Sequence, residues 1–175
     1  MKNLLDQNFE GQKVLVRVDF NVPLDKDFNI TDYSRIKAAL PTLNKLIQDK
    51  AKVILMSHLG RPSGVESKFS LSHIVDYLQS VLGVNVSFSE NCIGEETMKS
   101  VKDLKNGEVL LLENLRFHKE EKSGDSNFAK QLANLADVYV NDAFGAAHRS
   151  HASTSIVAQF FPKEKYFGLL LKNEV

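Results

Sequence analysis

Residues 14–23 read Val-Leu-Val-Arg-Val-Asp-Phe-Asn-Val-Pro, and this stretch decides the fold. Its first half is β-branched and aliphatic, without glycine or proline, which is typical of a buried strand. Asp19, Asn21 and Pro23 then bring polar and turn-forming residues to the end of that strand. An α/β sheet binds ligands beyond the carboxyl ends of its strands, and side chains two residues apart on a strand point to the same side. Asp19 and Asn21 are therefore candidate ligand contacts.

Strand-like and helix-like segments alternate along the rest of the chain. Apolar runs with strand character lie at 52–57, 84–88, 108–112 and 137–141, and 166–171 is either a further strand or the start of a helix. Apolar residues recur with helical spacing at 71–82, 94–104, 126–136 and 153–161. This alternation predicts parallel strands joined by crossover helices. The predicted fold class is α/β, a three-layer α/β/α Rossmann-like domain with a mainly parallel sheet of about six strands.

Two connections beside these strands are assigned from local chemistry. Thr31 or Asp32 is suited to cap a helix that runs to Lys50, and Pro41 is expected to kink this helix or divide it into two short ones. Residues 119–125 are dense in acidic and basic side chains, which are seldom buried. That segment is therefore predicted to be a solvated loop.

The composition indicates one ordinary domain. The 175 residues are 43% hydrophobic and 25% charged with a net charge of zero, so no general attraction to nucleic acid or to an anionic membrane surface is expected. The single cysteine, Cys92, excludes an internal disulfide and fits a reducing compartment. No apolar run approaches membrane-spanning length and no apolar leader is present, so a cytoplasmic location is predicted.

The arginines are few, and most of them lie near predicted strand ends. Against 17 lysines there are five arginines, of which Arg61, Arg116 and Arg149 lie in loops after three different strands. Arg35 lies on the connection that leaves the first strand. Guanidinium groups grip phosphate and carboxylate in a bidentate manner, so these four predict a site for a small, multiply charged anion. The alternative is that arginines merely favour surface loops, although the lysines mostly avoid these positions.

Other polar side chains at the same strand ends suit other parts of such a ligand. His58 follows the second strand and offers a hydrogen-bond donor, which we expect to be charged only near or below neutrality. Asp19 would be a poor partner for phosphate because both are negative. Together with Asn21 it suits a hydroxyl group on the same molecule, whose proton the carboxylate can accept.

Four blocks of the sequence, at 14–23, 58–62, 113–118 and 141–154, resemble phosphoglycerate kinase and occur in that family's order. The run Arg-Val-Asp-Phe-Asn-Val-Pro at 17–23 matches the signature of the family. The resemblance covers essentially the whole chain but only the N-terminal half of the family. It implies the site for 3-phosphoglycerate in a reversible phosphoryl transfer between ATP and the carboxylate of that substrate, a step of glycolysis and gluconeogenesis.

The resemblance also implies which residues form this site. It gives the substrate phosphate to the three loop arginines and the histidine, and the 2-hydroxyl to the carboxylate and carboxamide of the opening stretch. Arg35 goes to the reacting carboxylate and is the predicted catalytic residue. The full set of implied substrate contacts is Asp19, Phe20, Asn21, Arg35, His58, Leu59, Gly60, Arg61, Arg116 and Arg149.

By the same resemblance, Mg-ATP binds to a second, C-terminal domain that has no counterpart here. Neither Gly-x-x-x-x-Gly-Lys-Ser/Thr nor Gly-x-Gly-x-x-Gly occurs in the sequence. We expect residues 1–170 to form the N-terminal substrate-binding domain and 171–175 to begin the interdomain connection. The expected partners are 3-phosphoglycerate and the C-terminal domain of the same enzyme. The chain is expected to be monomeric, to bind no cofactor itself and to be inactive alone.

Three alternatives come from other functional classes. The chain could be a non-catalytic module that binds a phosphorylated metabolite or assembles with a partner chain. A nicotinamide-binding oxidoreductase domain is disfavoured because its glycine fingerprint is missing. His148 and His151 beside Asp142 could suggest a metal site, but support of the neighbouring arginine loop is the favoured interpretation, and no metal is predicted.

Overall fold

Within residues 2–143 and 150–169, which the computed structural model describes, seven strands form one sheet. They are β1 (Lys2–Asn3), β2 (Lys13–Val18), β3 (Lys52–Met56), β4 (Val86–Ser89), β5 (Val109–Leu112), β6 (Val138–Asp142) and β7 (Lys165–Phe167). Their order is β1-β7-β6-β2-β3-β5-β4, and each neighbouring pair is parallel. The predicted α/β class is confirmed, with seven strands in place of about six.

Helices and short helical turns join these strands. The α-helices are α1 (Ser34–Gln48), α2 (Val75–Leu82), α3 (Glu95–Asp103), α4 (Lys119–Ser123) and α5 (Ser126–Ala133). Single 3-10 turns lie at Leu4–Asp6, Ser67–Phe69, Leu71–Ile74, Leu115–Phe117 and Val157–Phe160, and a π-helical turn lies at Ala152–Ile156. The predicted helix at 71–82 therefore begins as a 3-10 turn, and Gly83 ends it in the left-handed conformation with φ of 70°.

Strand β2 occupies the middle of the sheet, as expected for a strand rich in valine and leucine. It pairs with β3 on one side and with β6 on the other. Val14, Val16 and Val18 face the core beneath α1 and α2, whereas Leu15 faces the core beneath α3 and α5. Arg17 shares the face of Leu15 because alternate residues of a strand point the same way, and it is completely buried.

The additional strand is β1, which no local pattern in the sequence predicts. It has only two residues, Lys2 and Asn3, and they pair with Tyr166 and Phe167 of β7. Neither residue favours a strand by itself. The strand therefore depends on its pairing with β7, which is a contact between segments more than 160 residues apart in the chain.

Helix α1 corrects the interpretation of Pro41. The helix runs from Ser34 to Gln48 with Pro41 inside it, so the division into two short helices is wrong. Burial of Ile36 and Leu43 on either side of the proline anchors both halves to the sheet. Because tertiary packing outweighs the loss of one backbone hydrogen bond, the helix continues.

Residues 119–123 form helix α4, so the prediction of a solvated loop over 119–125 is wrong. Gly124 ends the helix in the left-handed conformation, and the carboxylate of Asp125 caps α5 by accepting from the amide of Phe128. Glu121 is completely buried. Its carboxylate receives hydrogen bonds from elsewhere in the fold, which no local pattern of charges can indicate.

Several predictions fall on residues outside the described part. His148 and Arg149 lie in 144–149, and the predicted interdomain connection lies in 170–175. Among the described helices, none combines the length and the apolar character needed to cross a membrane.

Candidate anion-binding site

The loops that follow β2, β3 and β5 meet at the carboxyl edge of the sheet. Three parallel strands deliver them there together, since β2, β3 and β5 are consecutive neighbours. Asp19 and Asn21 come from the first loop, the 58–61 segment from the second, and Arg116 from the third. Hydrogen bonds connect the three loops, so residues from three distant segments of the chain become one site.

Asp19 and Arg35 face one another across the entrance of helix α1. The Arg35 NH1 atom lies 3.0 and 3.1 Å from the two carboxylate oxygens of Asp19. The Arg35 side chain is 49% exposed, and that of Asp19 is 18% exposed. The amide of Asn21 donates to the same carboxylate at 3.1 Å. A cation that is both paired and open to solvent is positioned to exchange its carboxylate for an anionic ligand.

Gly60 is the junction between the loops. Its amide donates to Oδ1 of Asn21 at 2.8 Å, and its carbonyl accepts from NH1 of Arg116 at 3.1 Å. Its φ is +64°, a conformation that side chains disfavour, and a Cβ there would overlap the ring of Phe69. Only glycine satisfies both conditions.

Replacing Gly60 with alanine is expected to lower the free energy of unfolding by about 1–3 kcal/mol, because the left-handed backbone becomes strained and Phe69 must move. The matched control is Gly64→Ala in the same loop, where a Cβ meets nothing within 4 Å and φ is not positive. Urea denaturation of both variants measures the difference. Equal stability of the two variants would contradict the role assigned to Gly60.

Asn114 holds the β3 loop in place from below. It is completely buried, and its amide group donates to the carbonyls of Leu59 and Phe69 at 2.7 and 2.9 Å. Its Oδ1 accepts from the amides of Leu59 and Arg116. Glu113 similarly accepts from the amides of Leu71 and Asn114. Asn114 and Glu113 therefore fix loops by hydrogen bonds.

Phe20 and Leu59, two of the implied substrate contacts, have buried side chains. Phe20 is 0% exposed and Leu59 is 3% exposed, and both belong to the core. The amide of Phe20 donates to Oγ of Ser57, and both backbone polar groups of Leu59 are bonded to Asn114. Their side chains support the loops from inside, so contact with a ligand through them stays a prediction.

His58 is present at the site as a neutral ring. Burial is the main cause that lowers its pKa to about 2, and the nearby charges of Arg17, Arg116 and Arg35 act in the same direction. The expectation that His58 becomes charged near neutrality is therefore wrong. The ring remains a hydrogen-bond donor through one nitrogen, because a neutral imidazole carries one N–H.

Arg61 and Arg149 complete the predicted set of cations. Arg61 is exposed beside Gly60 and forms no ion pair with the residues that the structure describes. Arg149, together with His148, lies outside the described residues. Across residues 2–143 and 150–169, no cluster of three or more His, Cys, Asp or Glu side chains could hold a metal ion.

Two residues that support the site were not predicted from the sequence. Glu121 and Ser153 are 0% exposed and connect to His58 through the buried side chain of Arg17. The position of Arg17 inside a strand predicts a structural role, and its complete burial agrees with that. No sequence signal distinguishes Glu121 from its neighbour Glu120 in the same charged run.

Comparisons with known proteins show the family to which the chain belongs. The sequence profile of the family described as "Phosphoglycerate kinase" matches residues 4–175. A phosphoglycerate kinase from Prochlorococcus marinus is 53% identical over 176 residues, covering all of this chain and 44% of that protein. The "Phosphoglycerate kinase, cytosolic" of Nicotiana tabacum is 52% identical, covering 99% of this chain and 43% of that protein.

A solved structure has the same fold. The crystal structure of phosphoglycerate kinase from Pyrococcus horikoshii superimposes with a TM-score of 0.88 at 36% identity, covering 99% of this chain and 44% of that one. The chain thus spans less than half the length of the relatives it matches. With a profile match over nearly all its residues, this chain belongs to the phosphoglycerate kinase family.

Proposed function

We propose that this chain is the 3-phosphoglycerate-binding part of a phosphoglycerate kinase, which transfers a phosphoryl group reversibly between ATP and the carboxylate of 3-phosphoglycerate. One observation carries the proposal. Side chains of Asn21 and Arg116, from two different loops, converge on the backbone of Gly60, with the Arg35 and Asp19 pair alongside. This convergence gathers cations and hydroxyl-binding groups at one edge of the sheet.

Each part of the substrate is proposed to contact side chains that suit its charge. Arg61, Arg116 and Arg149 hold the phosphate at its far end, and neutral His58 adds a hydrogen bond to it. Asp19 and Asn21 bind the hydroxyl group in the middle. A substrate with negative groups at both ends and a neutral hydroxyl between them matches this order of side chains.

Arg35 is proposed to act at the reacting carboxylate. Its guanidinium group is paired with Asp19 at 3.0 Å but is also half exposed, so a substrate carboxylate can reach it without disturbing the core. As the phosphoryl group moves, negative charge is spread over its oxygens and must be neutralised. A positioned guanidinium does this without reorganising water.

Mg-ATP is proposed to bind residues that this chain does not contain. Most groups at this site are guanidinium groups and a neutral imidazole, which suit anions, and its carboxylate, Asp19, is already paired with Arg35. Mg²⁺ needs several oxygen ligands in octahedral geometry. When bound to ATP, Mg²⁺ neutralises charge on the transferring group. We therefore expect no turnover from these 175 residues alone. The monomeric state and the cytoplasmic location also stay predictions.

Calorimetric titration with 3-phosphoglycerate tests the binding site. The wild-type chain is expected to bind, and Arg35→Ala, Arg61→Ala and Arg149→Ala are each expected to weaken binding by about tenfold or more, because a charge-assisted hydrogen bond contributes about 1.5–3 kcal/mol. Among these, Arg149→Ala tests a residue outside the described part of the chain.

Lys99→Ala serves as the control, because Lys99 is a 77% exposed cation on α3 and is paired only with Asp103 among the described residues. It is expected to bind like the wild type. Absence of binding to the wild-type chain, or equal weakening by Lys99→Ala, would overturn the assignment. A parallel titration with Mg-ATP is expected to give no heat, and tight nucleotide binding would assign the chain to the other half of the reaction.

A further inference from the structure

A buried pair of opposite charges lies beneath the site. Arg17 on β2 and Glu121 on α4 are both 0% exposed, although burying a charged group is costly unless it is paired and hydrogen-bonded. The two do not touch directly. Ser153 stands between them, bonded to both. The proposed function assigns no role to these three residues.

The direction of each hydrogen bond follows from the chemistry of the groups. Arg17 Nε can only donate, and it lies 2.8 Å from Oγ of Ser153, which therefore accepts. The hydroxyl proton of Ser153 is then free to go to the carboxylate of Glu121, which also accepts from the amide of Ser153 at 2.9 Å. The chain of bonds thus runs in one sense, from guanidinium to hydroxyl to carboxylate.

The other end of Arg17 reaches His58. Its NH2 atom lies 2.9 Å from Nδ1 of the imidazole, and its NH1 atom donates to the carbonyl of Val18. Since a guanidinium has no lone pair to offer, Nδ1 must be the acceptor and must be unprotonated. The proton of the neutral ring is therefore on Nε2, which makes no hydrogen bond with the described residues.

The hydrogen bond between Arg17 and Nδ1 of His58 runs in the opposite direction to the usual one, because the imidazole nitrogen accepts. Buried histidines are commonly oriented by a carboxylate or carbonyl that accepts from one ring nitrogen, which leaves the other nitrogen as an acceptor when the ring is neutral. An acceptor facing a phosphate would repel it. A guanidinium at Nδ1 instead makes Nε2 a donor, as an anion requires.

The surroundings of His58 keep the ring neutral. The charged and titratable groups that face it are Arg17 from β2, Arg35 from α1, Arg116 from the loop after β5, and His151. Each lowers the pKa of His58, and burial lowers it further. A positive charge on the ring would be repelled by all of them, so the neutral ring supplies the donor without further protonation.

We propose that Glu121, Ser153 and Arg17 form a positioning relay that holds His58 as the neutral Nε2–H tautomer, so that the ring presents a fixed donor to the ligand phosphate. The part of this inference that concerns the ligand rests on the proposed function. The part that concerns the tautomer rests only on the contacts within the chain. None of the three relay residues needs to touch the substrate.

Nitrogen-15 NMR of the imidazole rings tests the tautomer in the wild-type chain directly. The two ring nitrogens of a neutral histidine have different shifts, and a charged ring has a third pattern. His58, assigned with a His58→Gln variant, is expected to show the Nε2–H pattern unchanged between about pH 5 and pH 8. Observation of the Nδ1–H tautomer, or of titration within that range, would overturn the relay.

The double variant Arg17→Met with Glu121→Gln tests whether the buried charges are the cause of the His58 tautomer. It removes both buried charges together, so neither is left without a counter-charge. His58 is expected to lose its single tautomer and to show shifts averaged between the two neutral forms, while burial and the charges of Arg35 and Arg116 keep the ring uncharged. Leu132→Ala is the control, because it destabilises the same face of the sheet by leaving a cavity, while its apolar side chain makes none of the relay's hydrogen bonds. An unaltered His58 pattern in the double variant would contradict the proposal.

Binding of 3-phosphoglycerate provides the functional readout. The double variant is expected to bind about tenfold more weakly than wild type at about pH 8. The deficit is expected to persist as the pH falls, because burial and the charges of Arg35 and Arg116 still keep the ring neutral. Comparison at each pH cancels the titration of the ligand's own phosphate. If the wild type binds no substrate while its Nε2–H pattern is intact, the proposed function is overturned and the relay is not. Binding by the double variant as tight as that by the wild type would contradict the relay.

Discussion

Replacing Glu121 with alanine is expected to lower the free energy of unfolding by about 3–5 kcal/mol, because it leaves the guanidinium of Arg17 buried without its counter-charge. The loss has a second component. The hydroxyl and amide of Ser153 lose the carboxylate that accepts from both of them. Each unsatisfied buried donor adds to the cost. Urea denaturation monitored by circular dichroism measures the change in midpoint and slope.

The matched control is Glu120→Ala, one residue earlier in helix α4. The Glu120 side chain is partly exposed, and its removal is expected to change stability by less than about 0.5 kcal/mol. Comparison of Glu121→Ala with Glu120→Ala distinguishes a solvated loop from a helix with one buried carboxylate. If residues 119–125 were a solvated loop, the two substitutions would have equally small effects. Equal effects would therefore refute the buried role of Glu121.

Removal of the Arg35 side chain is expected to lower kcat by about 10²–10³-fold in a complete enzyme, because one preorganised charge at the transferring group is lost. The complete enzyme can be made by fusing this chain to the remaining part of the Prochlorococcus marinus relative, which aligns with all of the chain. The unfused chain is expected to show no turnover. A coupled assay that follows ADP production measures both.

The Arg35→Ala substitution is expected to lower kcat strongly while it changes the free energy of unfolding only slightly. The Arg35 ion pair with Asp19 is half exposed on the arginine side, and pairs of this kind contribute at most about 1 kcal/mol to folding. Lys37→Ala, an exposed cation two residues along the same helix, is the control and should retain full kcat. An Arg35→Ala fusion with unchanged kcat would remove Arg35 from the chemistry. Turnover by the unfused chain would refute the proposal that Mg-ATP binds residues outside this chain.

Much of the fold can be predicted because its strong signals are local. Residues 14–18 are rich in valine and leucine, which favours a strand buried in the middle of a sheet, and they form most of β2. Ser70 begins a helical segment, since its side chain accepts from the amide of Ser72. Residues that follow such strands must lie at the carboxyl edge, which is why the sequence pattern alone is enough to group Asp19, Asn21 and Arg116.

Predictions from the sequence are wrong where long-range contacts outweigh the local conformational preference of the residues. Strand β1 has two polar residues and exists only through pairing with β7. Helix α1 continues through Pro41 because packing against the sheet compensates for the missing hydrogen bond. Helix α4 forms from a segment whose composition indicates solvent exposure, because Glu121 finds partners 32 residues away.

The sequence by itself therefore determined the α/β class, the position of the central strand and the residue types gathered at its end. Those features follow from burial of apolar side chains and from the periodicity of the backbone, which act over a few residues. Only the tertiary structure decided that His58 is neutral, which of its nitrogens carries the proton, and that Glu121 is an internal counter-ion. Protonation and pairing depend on burial and on charges contributed by distant segments, and no local pattern contains that information.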